Sequence, residues 1–226
     1  MLTDDIVVTR NEAVSADTFN VDRCDYQSLW CKRYCYGRKL TGRAYVARQW
    51  RSDFVDGKIV QHCGPSPRLR PFTVIGDVPK RRGDRQRFER FVRKLFPRYE
   101  KVWLPTRSWS DDGGLEYLAD IMDEHENVAV TLSFDGSMSV KTLMTATDRF
   151  RTRYGDRTSL ATVTEAPYTD AERENVDALL ALGYTHCPKT HGAGSCHTCG
   201  RLCWAEHRAT RLSAIGLPII GFKYHR

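Results

Sequence analysis

The feature that most limits the fold of this chain is an alternation of strand-like and helix-like segments from residue 72 onward. Short apolar runs rich in β-branched and aromatic residues are followed by stretches in which apolar residues recur every three or four positions. Strict alternation of this kind is typical of a parallel sheet with crossover helices, so we predict an α/β fold. The predicted strands are 72–75, 101–104, 127–134, 160–164 and 218–222, and the predicted helices are 88–96, 115–122, 140–151 and 170–182.

Polar or charged residues stand at the carboxyl ends of the predicted strands. In parallel sheets, ligands and catalytic groups gather at these ends. Arg107 has a planar guanidinium that suits a substrate carboxylate or phosphate, although a surface ion pair is the alternative. The glycine-containing ends are equally compatible with simple turns. The residues at the four ends are Gly76-Asp77, Thr106-Arg107, Ser133 with Asp135-Gly136, and Thr164-Glu165.

Eight cysteines in 226 residues are the second constraint, and seven of them fall in two clusters. The first ten residues include Asp4 and Asp5 and lack the apolar core of a signal peptide. No apolar run approaches the roughly eighteen residues that a membrane span needs. We therefore expect a cytoplasmic, reducing environment without membrane association, in which clustered cysteines bind metal more often than they form disulfides.

The first cluster reads Cys24-x6-Cys31-x3-Cys35 and lies before the first predicted strand. Three thiolates can bind three irons of a [4Fe–4S] cluster and leave the fourth iron open to a substrate or cofactor. Polar and basic residues are interleaved with these cysteines, which disfavours the alternative of buried core thiols. Zinc is a further alternative, with Cys63 or His62 as the fourth ligand.

The second cluster has four cysteines within seventeen residues, joined by a linker rich in glycine and small polar residues. Its members are Cys187, Cys196, Cys199 and Cys203. Four thiolates suit either a [4Fe–4S] cluster or structural zinc, and we interpret this group as iron–sulfur with zinc as the alternative. We accordingly divide the chain into a loosely ordered N-terminus (1–23), an α/β unit (24–182) and a cysteine-rich metal-binding segment (183–226).

Residues 80–101 hold the whole excess of positive charge. Ten basic residues against three acidic ones give this segment a net charge of +7, which equals the net charge of the entire chain. Such a segment could contact a nucleic-acid backbone. Most charge runs are nevertheless solvated helix faces, and that alternative stays open here.

Four motifs, in this order, resemble those of the radical S-adenosylmethionine (SAM) family. The cysteine triad followed by Tyr36 resembles the family's opening motif, although both cysteine gaps are wider than its Cys-x3-Cys-x2-Cys. Gly76-Asp77 takes the place of a Gly-Gly-Glu type turn, and 133–136 resembles a Ser-x-Asp-Gly strand end. The C-terminal cysteines are similar to those of an auxiliary cluster. The chain looks most similar to small phage-encoded radical-SAM-like proteins of undefined substrate.

The resemblance implies a partial (β/α) barrel with parallel strands over 24–182, one or two [4Fe–4S] clusters, and reductive cleavage of SAM with electrons from an external reductant. A phage-encoded chain would act in the host cytoplasm. The implied roles are cluster binding for Cys24, Cys31 and Cys35; SAM binding for Tyr36, Gly76, Asp77, Ser133 and Asp135; and catalysis for Asp77 and Arg107. The alternative function is a non-catalytic iron–sulfur or zinc module that binds nucleic acid through 80–101.

Overall fold

The computed structural model describes residues 6–10, 15–19, 26–34, 70–71, 102–187 and 213–224, together with 78, 80, 85, 86, 88, 89, 93 and 97. Within this part, the strands are β1 (Ile6–Arg10), β2 (Ser15–Phe19), β3 (Arg70–Pro71), β4 (Val102–Thr106), β5 (Val128–Phe134), β6 (Thr158–Val163), β7 (Thr185–His186) and β8 (Ile219–Phe222). The α-helices with defined ends are α1 (Leu29–Tyr34), α2 (Asp112–Glu124), α3 (Val140–Tyr154) and α4 (Asp170–Leu180).

Six of the strands form one sheet in the order β3-β4-β5-β6-β8-β7, and every neighbouring pair is parallel. Helices α2, α3 and α4 connect successive strands from β4 to β7. The predicted α/β class with a parallel sheet is therefore confirmed. Four predicted strands agree with β4, β5, β6 and β8 to within two residues at each end, whereas the predicted strand at 72–75 lies outside the described residues, directly after β3.

One face of the sheet carries the helices α2, α3 and α4. The even-numbered side chains of β4, β5 and β6 point to this face. Together with the apolar stripes of the helices, they form a single hydrophobic core. The fully buried leucines of this core are Leu104, Leu132 and Leu160 from the strands and Leu118, Leu143 and Leu179 from the helices. The described strands form an open sheet with β3 and β7 at its edges, so the partial barrel remains a prediction.

The opposite face of the sheet carries a row of hydrogen-bonded side chains beside a small apolar cluster. Trp103 Nε1 donates to Thr131 Oγ1 at 2.6 Å, and Thr131 Oγ1 lies 2.6 Å from Ser159 Oγ, so one hydrogen-bonded row crosses β4, β5 and β6. Thr131 and Ser159 are buried. The hydrogen bond between their hydroxyls compensates the cost of removing these two groups from water.

Each crossover helix begins with a side-chain cap just beyond a strand end. Asp111 caps α2 by accepting from Gly114 N at 2.7 Å, and Ser139 caps α3 by accepting from Thr142 N at 3.2 Å. At the start of α4, Thr169 and Glu172 form a capping box in which each side chain accepts from the other's backbone N–H. These caps fix the loops at the carboxyl edge of the sheet, where the site residues lie.

Several elements extend what the sequence predicts. An antiparallel β1–β2 hairpin occupies part of the N-terminal range 1–23, for which we predicted no element. From the range that we assigned to the metal-binding C-terminus, β7 and β8 complete the main sheet, and β8 lies between β6 and β7. The longest described helix, α3, has fifteen residues, and none of the described helices is long and apolar enough to cross a bilayer.

Candidate functional site

The short helix α1 and the residues before it lie over the carboxyl edge of the parallel sheet. Cys31 Sγ accepts from Arg107 Nη1 at 2.6 Å, and Arg107 directly follows β4. The hydroxyl of Ser28 donates to Asp135 Oδ2, and Asp135 directly follows β5. Ser28 Oγ also accepts from Cys31 N at 3.0 Å. The cysteine of α1 is thereby fastened to the ends of two neighbouring strands.

The partly buried Arg107 and the buried Asp135 form an ion pair next to Cys31. Arg107 Nη2 lies 3.0 Å from Asp135 Oδ2, and the two side chains are 20% and 3% exposed. Burial by itself would raise the pKa of Asp135. The Arg107 charge and hydrogen bonds from Ser137 and Ser28 outweigh that effect and hold this pKa below its ordinary value. The pair therefore stays charged at neutral pH, and the guanidinium is aimed at the Cys31 sulfur.

The oxygens of Asp135 are engaged by the chain's own donors. Oδ2 accepts from Ser28 and Arg107, and Oδ1 accepts from Ser137 N at 3.1 Å and Ser137 Oγ at 2.7 Å. The sequence reading assigned Asp135 to the ribose hydroxyls of SAM. In this geometry the carboxylate organises the loop after β5 and orients Arg107.

A cavity of about 420 Å³ opens beside this ion pair. Its walls combine aromatic and apolar side chains with several hydroxyls, which is the mixture that small-molecule sites use for packing and orientation. Lys80 Nζ contacts Asp111 Oδ2 at 2.5 Å at one side of the cavity. The lining residues include Tyr26, Ser28, Lys80, Arg107, Trp109, Ser110, Asp111, Ser133, Phe134, Asp135, Ser137 and Met138.

The indole of Trp109 connects this cavity wall to β5. Its Nε1 donates to the carbonyl oxygen of Ser133 at 2.8 Å, and its ring packs against Phe134 with the centroids 6.4 Å apart. Both contacts hold Trp109 against the end of β5. Ser133, which the sequence reading assigned to a ribose hydroxyl, lines the same cavity.

The other side of α1 is held by aromatic packing and by a second ion pair. The ring of Trp30 lies 5.5 Å from that of Tyr168, which follows β6, and 6.1 Å from that of Tyr224, which follows β8. Arg33 contacts both carboxylate oxygens of Glu172, at 2.5 and 2.6 Å. Together with Ser28 and Cys31, these contacts spread α1 across the ends of β4, β5, β6 and β8.

The second cysteine segment begins in different surroundings. Cys187 directly follows β7, donates its backbone N–H to Gly221 O at 2.8 Å, and packs against Ala161, Ile220 and Phe222. No group of three potential metal-ligating side chains occurs among the described residues. The remaining residues that the sequence reading assigned to metal or SAM lie outside the described ranges: Cys24, Cys35, Tyr36, Gly76, Asp77, Cys196, Cys199 and Cys203.

The described basic residues of the 80–101 segment contact the chain itself. Besides the Lys80 contact, Arg85 Nη2 donates to Gly113 O at 3.1 Å, and its guanidinium stacks 4.5 Å from the Tyr117 ring centroid. Arg93 lies 3.9 Å from Glu124. Part of the positive charge is therefore directed toward α2, as expected for a helix packed on the fold.

Arg107, Ser133 and Asp135 lie at one edge, as the sequence pattern predicts, and the structure adds Ser28, Trp30 and Glu172 to this site. One of these left a readable signal, because Thr169-x-x-Glu172 is a capping-box pattern. The others act through contacts distant in sequence. No protein-family model matches this chain, and neither a curated protein nor a solved structure is significantly similar to it.

Proposed function

We propose that this chain is an iron–sulfur protein of the radical SAM type, whose first cluster is held by Cys24, Cys31 and Cys35. One observation carries the proposal: the Cys31 sulfur lies at the carboxyl edge of a parallel sheet, beside Arg107 and a cavity of about 420 Å³. In α/β proteins this edge is where cofactors and substrates bind. A cysteine at this edge can bind a cofactor that reaches the substrate, whereas a thiol inside the hydrophobic core cannot.

The surroundings of Cys31 fit an anionic sulfur ligand. A guanidinium beside a sulfur favours the thiolate, which is the form that binds metal. Hydrogen bonds to the sulfurs are also one of the ways in which proteins adjust the potential of a cluster. When bound, the cluster would supply the electron that cleaves SAM reductively. Arg107 would compensate part of the negative charge on the cysteine sulfur.

The arrangement of the helices supports a partial barrel. Doubly wound sheets carry helices on both faces, whereas the helices of a (β/α) barrel form a single outer layer. Here α2, α3 and α4 share one core on one face, and the face with the hydrogen-bonded row of Trp103, Thr131 and Ser159 is the one that a barrel would turn inward. The cavity and Cys31 then lie at the mouth of that half-barrel.

The cavity is our candidate site for SAM. Trp109, Phe134 and Tyr26 offer surfaces for the adenine, and Ser133 is a candidate donor to ribose hydroxyls. Asp135 keeps its proposed role toward the ribose hydroxyls, and its contact with Arg107 also orients that guanidinium. Tyr36, Gly76 and Asp77 keep their proposed roles toward adenine and the methionine part.

The cysteines from Cys187 to Cys203 are proposed to hold a second metal centre, either a [4Fe–4S] cluster or zinc. Four thiolates satisfy the usual ligand number of both. Elemental analysis of the purified chain distinguishes between these two kinds of metal centre. Iron with matching acid-labile sulfide identifies a cluster, and zinc without sulfide identifies a structural site.

The test begins with anaerobic purification and reconstitution with iron and sulfide. We expect bound iron and sulfide with the visible absorption of a cluster, and formation of 5′-deoxyadenosine from SAM when dithionite is added. Cys31→Ser should abolish 5′-deoxyadenosine formation, whereas Cys187→Ser should leave the first cluster in place. If the reconstituted chain binds iron and yields no 5′-deoxyadenosine, the proposed radical SAM activity is contradicted. If the chain binds zinc alone, both the iron–sulfur cluster and the radical SAM activity are contradicted.

The alternative function is a non-catalytic metal module that binds nucleic acid through residues 80–101. The observation in its favour is the net charge of +7 in that segment, ten basic residues minus three acidic ones. Lys80, Arg85 and Arg93 already contact α2 or its cap, which reduces the charge available to a partner. Salt-dependent binding to nucleic acid, with no reaction on SAM, is the outcome that selects this alternative.

A further inference from the structure

Helix α1 is anchored at both of its ends. At its start, Ser28 donates to Asp135, in the loop after β5. Near its end, Arg33 forms a two-contact ion pair with Glu172, at the start of α4. Cys31 lies between these anchors. A helix of six residues has little stability of its own, so its position depends on such tertiary contacts.

Glu172 is the less exposed member of the second anchor. Its side chain is 10% exposed, against 42% for Arg33. Its Oε2 also accepts from Thr169 N at 2.9 Å, as part of the capping box. A carboxylate that has lost most of its water must be compensated by charge and hydrogen bonds. Glu172 therefore serves two purposes, closing the start of α4 and holding the end of α1.

The two anchors belong to one connected unit. Gly136, next to Asp135, has a positive φ of 78°, and a Cβ at this position would lie 2.2 Å from the carbonyl oxygen of Glu172. Asn175 Nδ2 also donates to Gly136 O at 3.0 Å. The loop after β5 is thus seated directly on the start of α4. Contacts run in a closed ring from Asp135 through Gly136, Glu172 and Arg33 to α1, and back through Ser28.

We propose that Glu172 is a positioning residue that holds Cys31 at the carboxyl edge through its ion pair with Arg33. This deepens the proposed function and rests on it where metal is concerned, but the position of the thiol can be tested without metal. Loss of the ion pair would free the end of α1 and let the Cys31 sulfur leave Arg107. Cys31 would then become more accessible to reagents and a poorer metal ligand.

The decisive variant is Glu172→Gln. Glutamine is accepted at this position of a capping box, so the start of α4 is preserved while the charge toward Arg33 is lost. The metal-free chain is treated with iodoacetamide under reducing conditions, and alkylation of each cysteine is followed by peptide mass spectrometry. We expect the ratio of the Cys31 rate to the Cys187 rate to rise several-fold. Cys187 is the internal reference, because general loosening of the fold would accelerate both.

The matched control is Glu174→Gln, which removes the same charge from an exposed position on the same helix. Arg33→Ala should reproduce the effect of Glu172→Gln, and the double variant should add little, since both remove one interaction. Lys32→Ala is the control on α1. An unchanged Cys31-to-Cys187 ratio in Glu172→Gln, or an equal rise in Glu174→Gln, overturns the proposal.

The metal-dependent arm uses the reconstituted chain. Because release of α1 would move Cys31 away from its position as a ligand, Glu172→Gln should lose iron to a chelator several-fold faster than the wild type and Glu174→Gln. Equal iron loss in all three chains counts against the proposal. If the wild-type chain binds no iron, the proposed function fails while the alkylation ratio still decides whether Glu172 positions Cys31.

Discussion

Cys31 and Cys187 are equally buried, at 9% exposure each, yet they stand in opposite kinds of surroundings. The Cys31 sulfur faces a guanidinium whose orientation is fixed by Asp135. Cys187 packs in a small apolar cluster with Ala161 and Ile220. Exposure alone does not distinguish the two cysteines. Their neighbours give Cys31 compensation for a negative charge, whereas the described neighbours of Cys187 are apolar.

This difference lies in the polar contacts that the described residues make around Cys31. Around Cys31, one ion pair, a second anchor through Glu172 and several serine hydroxyls meet in a small volume. Such buried networks weaken the fold severely when one member is removed. Around Cys187, the described packing partners are the apolar side chains of Ala161, Ile220 and Phe222. Variants in the two regions should therefore respond to different kinds of change.

The largest effect is expected from Asp135→Ala. The change leaves Arg107 and Ser28 without their acceptor, and removing one partner of a buried ion pair costs about 3 to 5 kcal/mol. We expect the free energy of unfolding to fall by about 3 kcal/mol in urea titrations of the metal-free chain. The control is Asp177→Ala, since Asp177 lies 4.0 Å from Arg173 and is 60% exposed. Similar losses in both variants would show that Asp135 has no special structural role.

The pH dependence of this pair has a defined sign. The pKa of Asp135 in the fold lies below its ordinary value of 3.8, so the ion pair stabilises the fold above that value and loses this contribution as the pH falls further. The difference in unfolding free energy between the wild type and Asp135→Asn should be greatest near neutral pH and shrink below pH 3.8. If this difference in unfolding free energy stays constant down to about pH 2, Asp135 is not charged in the fold.

A matched pair of serine variants tests the comparison directly. Cys187→Ser replaces a sulfur that packs against Ala161 and Ile220 with a hydroxyl, and placing a hydroxyl beside such apolar side chains costs about 1 to 2 kcal/mol. Cys31→Ser keeps a polar atom within reach of Arg107, so its effect on the metal-free chain should be smaller. Unfolding of both variants in urea, with metal removed, measures the two effects. The reverse order would mean that the surroundings of the two cysteines have been misassigned.

The sequence was sufficient for the α/β class because the buried strands are continuous apolar runs and the helices carry a clear apolar stripe. It also brought Arg107 and Asp135 to one edge, since the carboxyl ends of parallel strands lie together. The direct contact between them follows from β4 and β5 being neighbours. A polar residue at each strand end was thus enough to locate this part of the site.

Other features could not be read from local pattern. The order β6-β8-β7 depends on a strand of two residues, Thr185–His186, which is too short to give a periodic signal. The ion pair between Arg33 and Glu172 joins residues 139 positions apart. Ser28 and Trp30 act only because α1 lies across the sheet edge. Tertiary contacts of this kind decide where a short helix lies, and local propensity does not.

The smallest effect is expected from Arg93→Gln, in the basic segment. Arg93 and Glu124 are 68% and 57% exposed and lie 3.9 Å apart, so this ion pair should contribute less than about 0.5 kcal/mol to stability. If the segment binds single-stranded nucleic acid, each lost phosphate contact reduces the slope of log affinity against log salt by about 0.7. Binding titrations at several salt concentrations separate the two cases. An unchanged slope of log affinity against log salt assigns Arg93 to the solvated helix surface. A reduced slope at unchanged stability assigns Arg93 to a nucleic-acid interface, which is separate from the surroundings of Cys31 and Cys187.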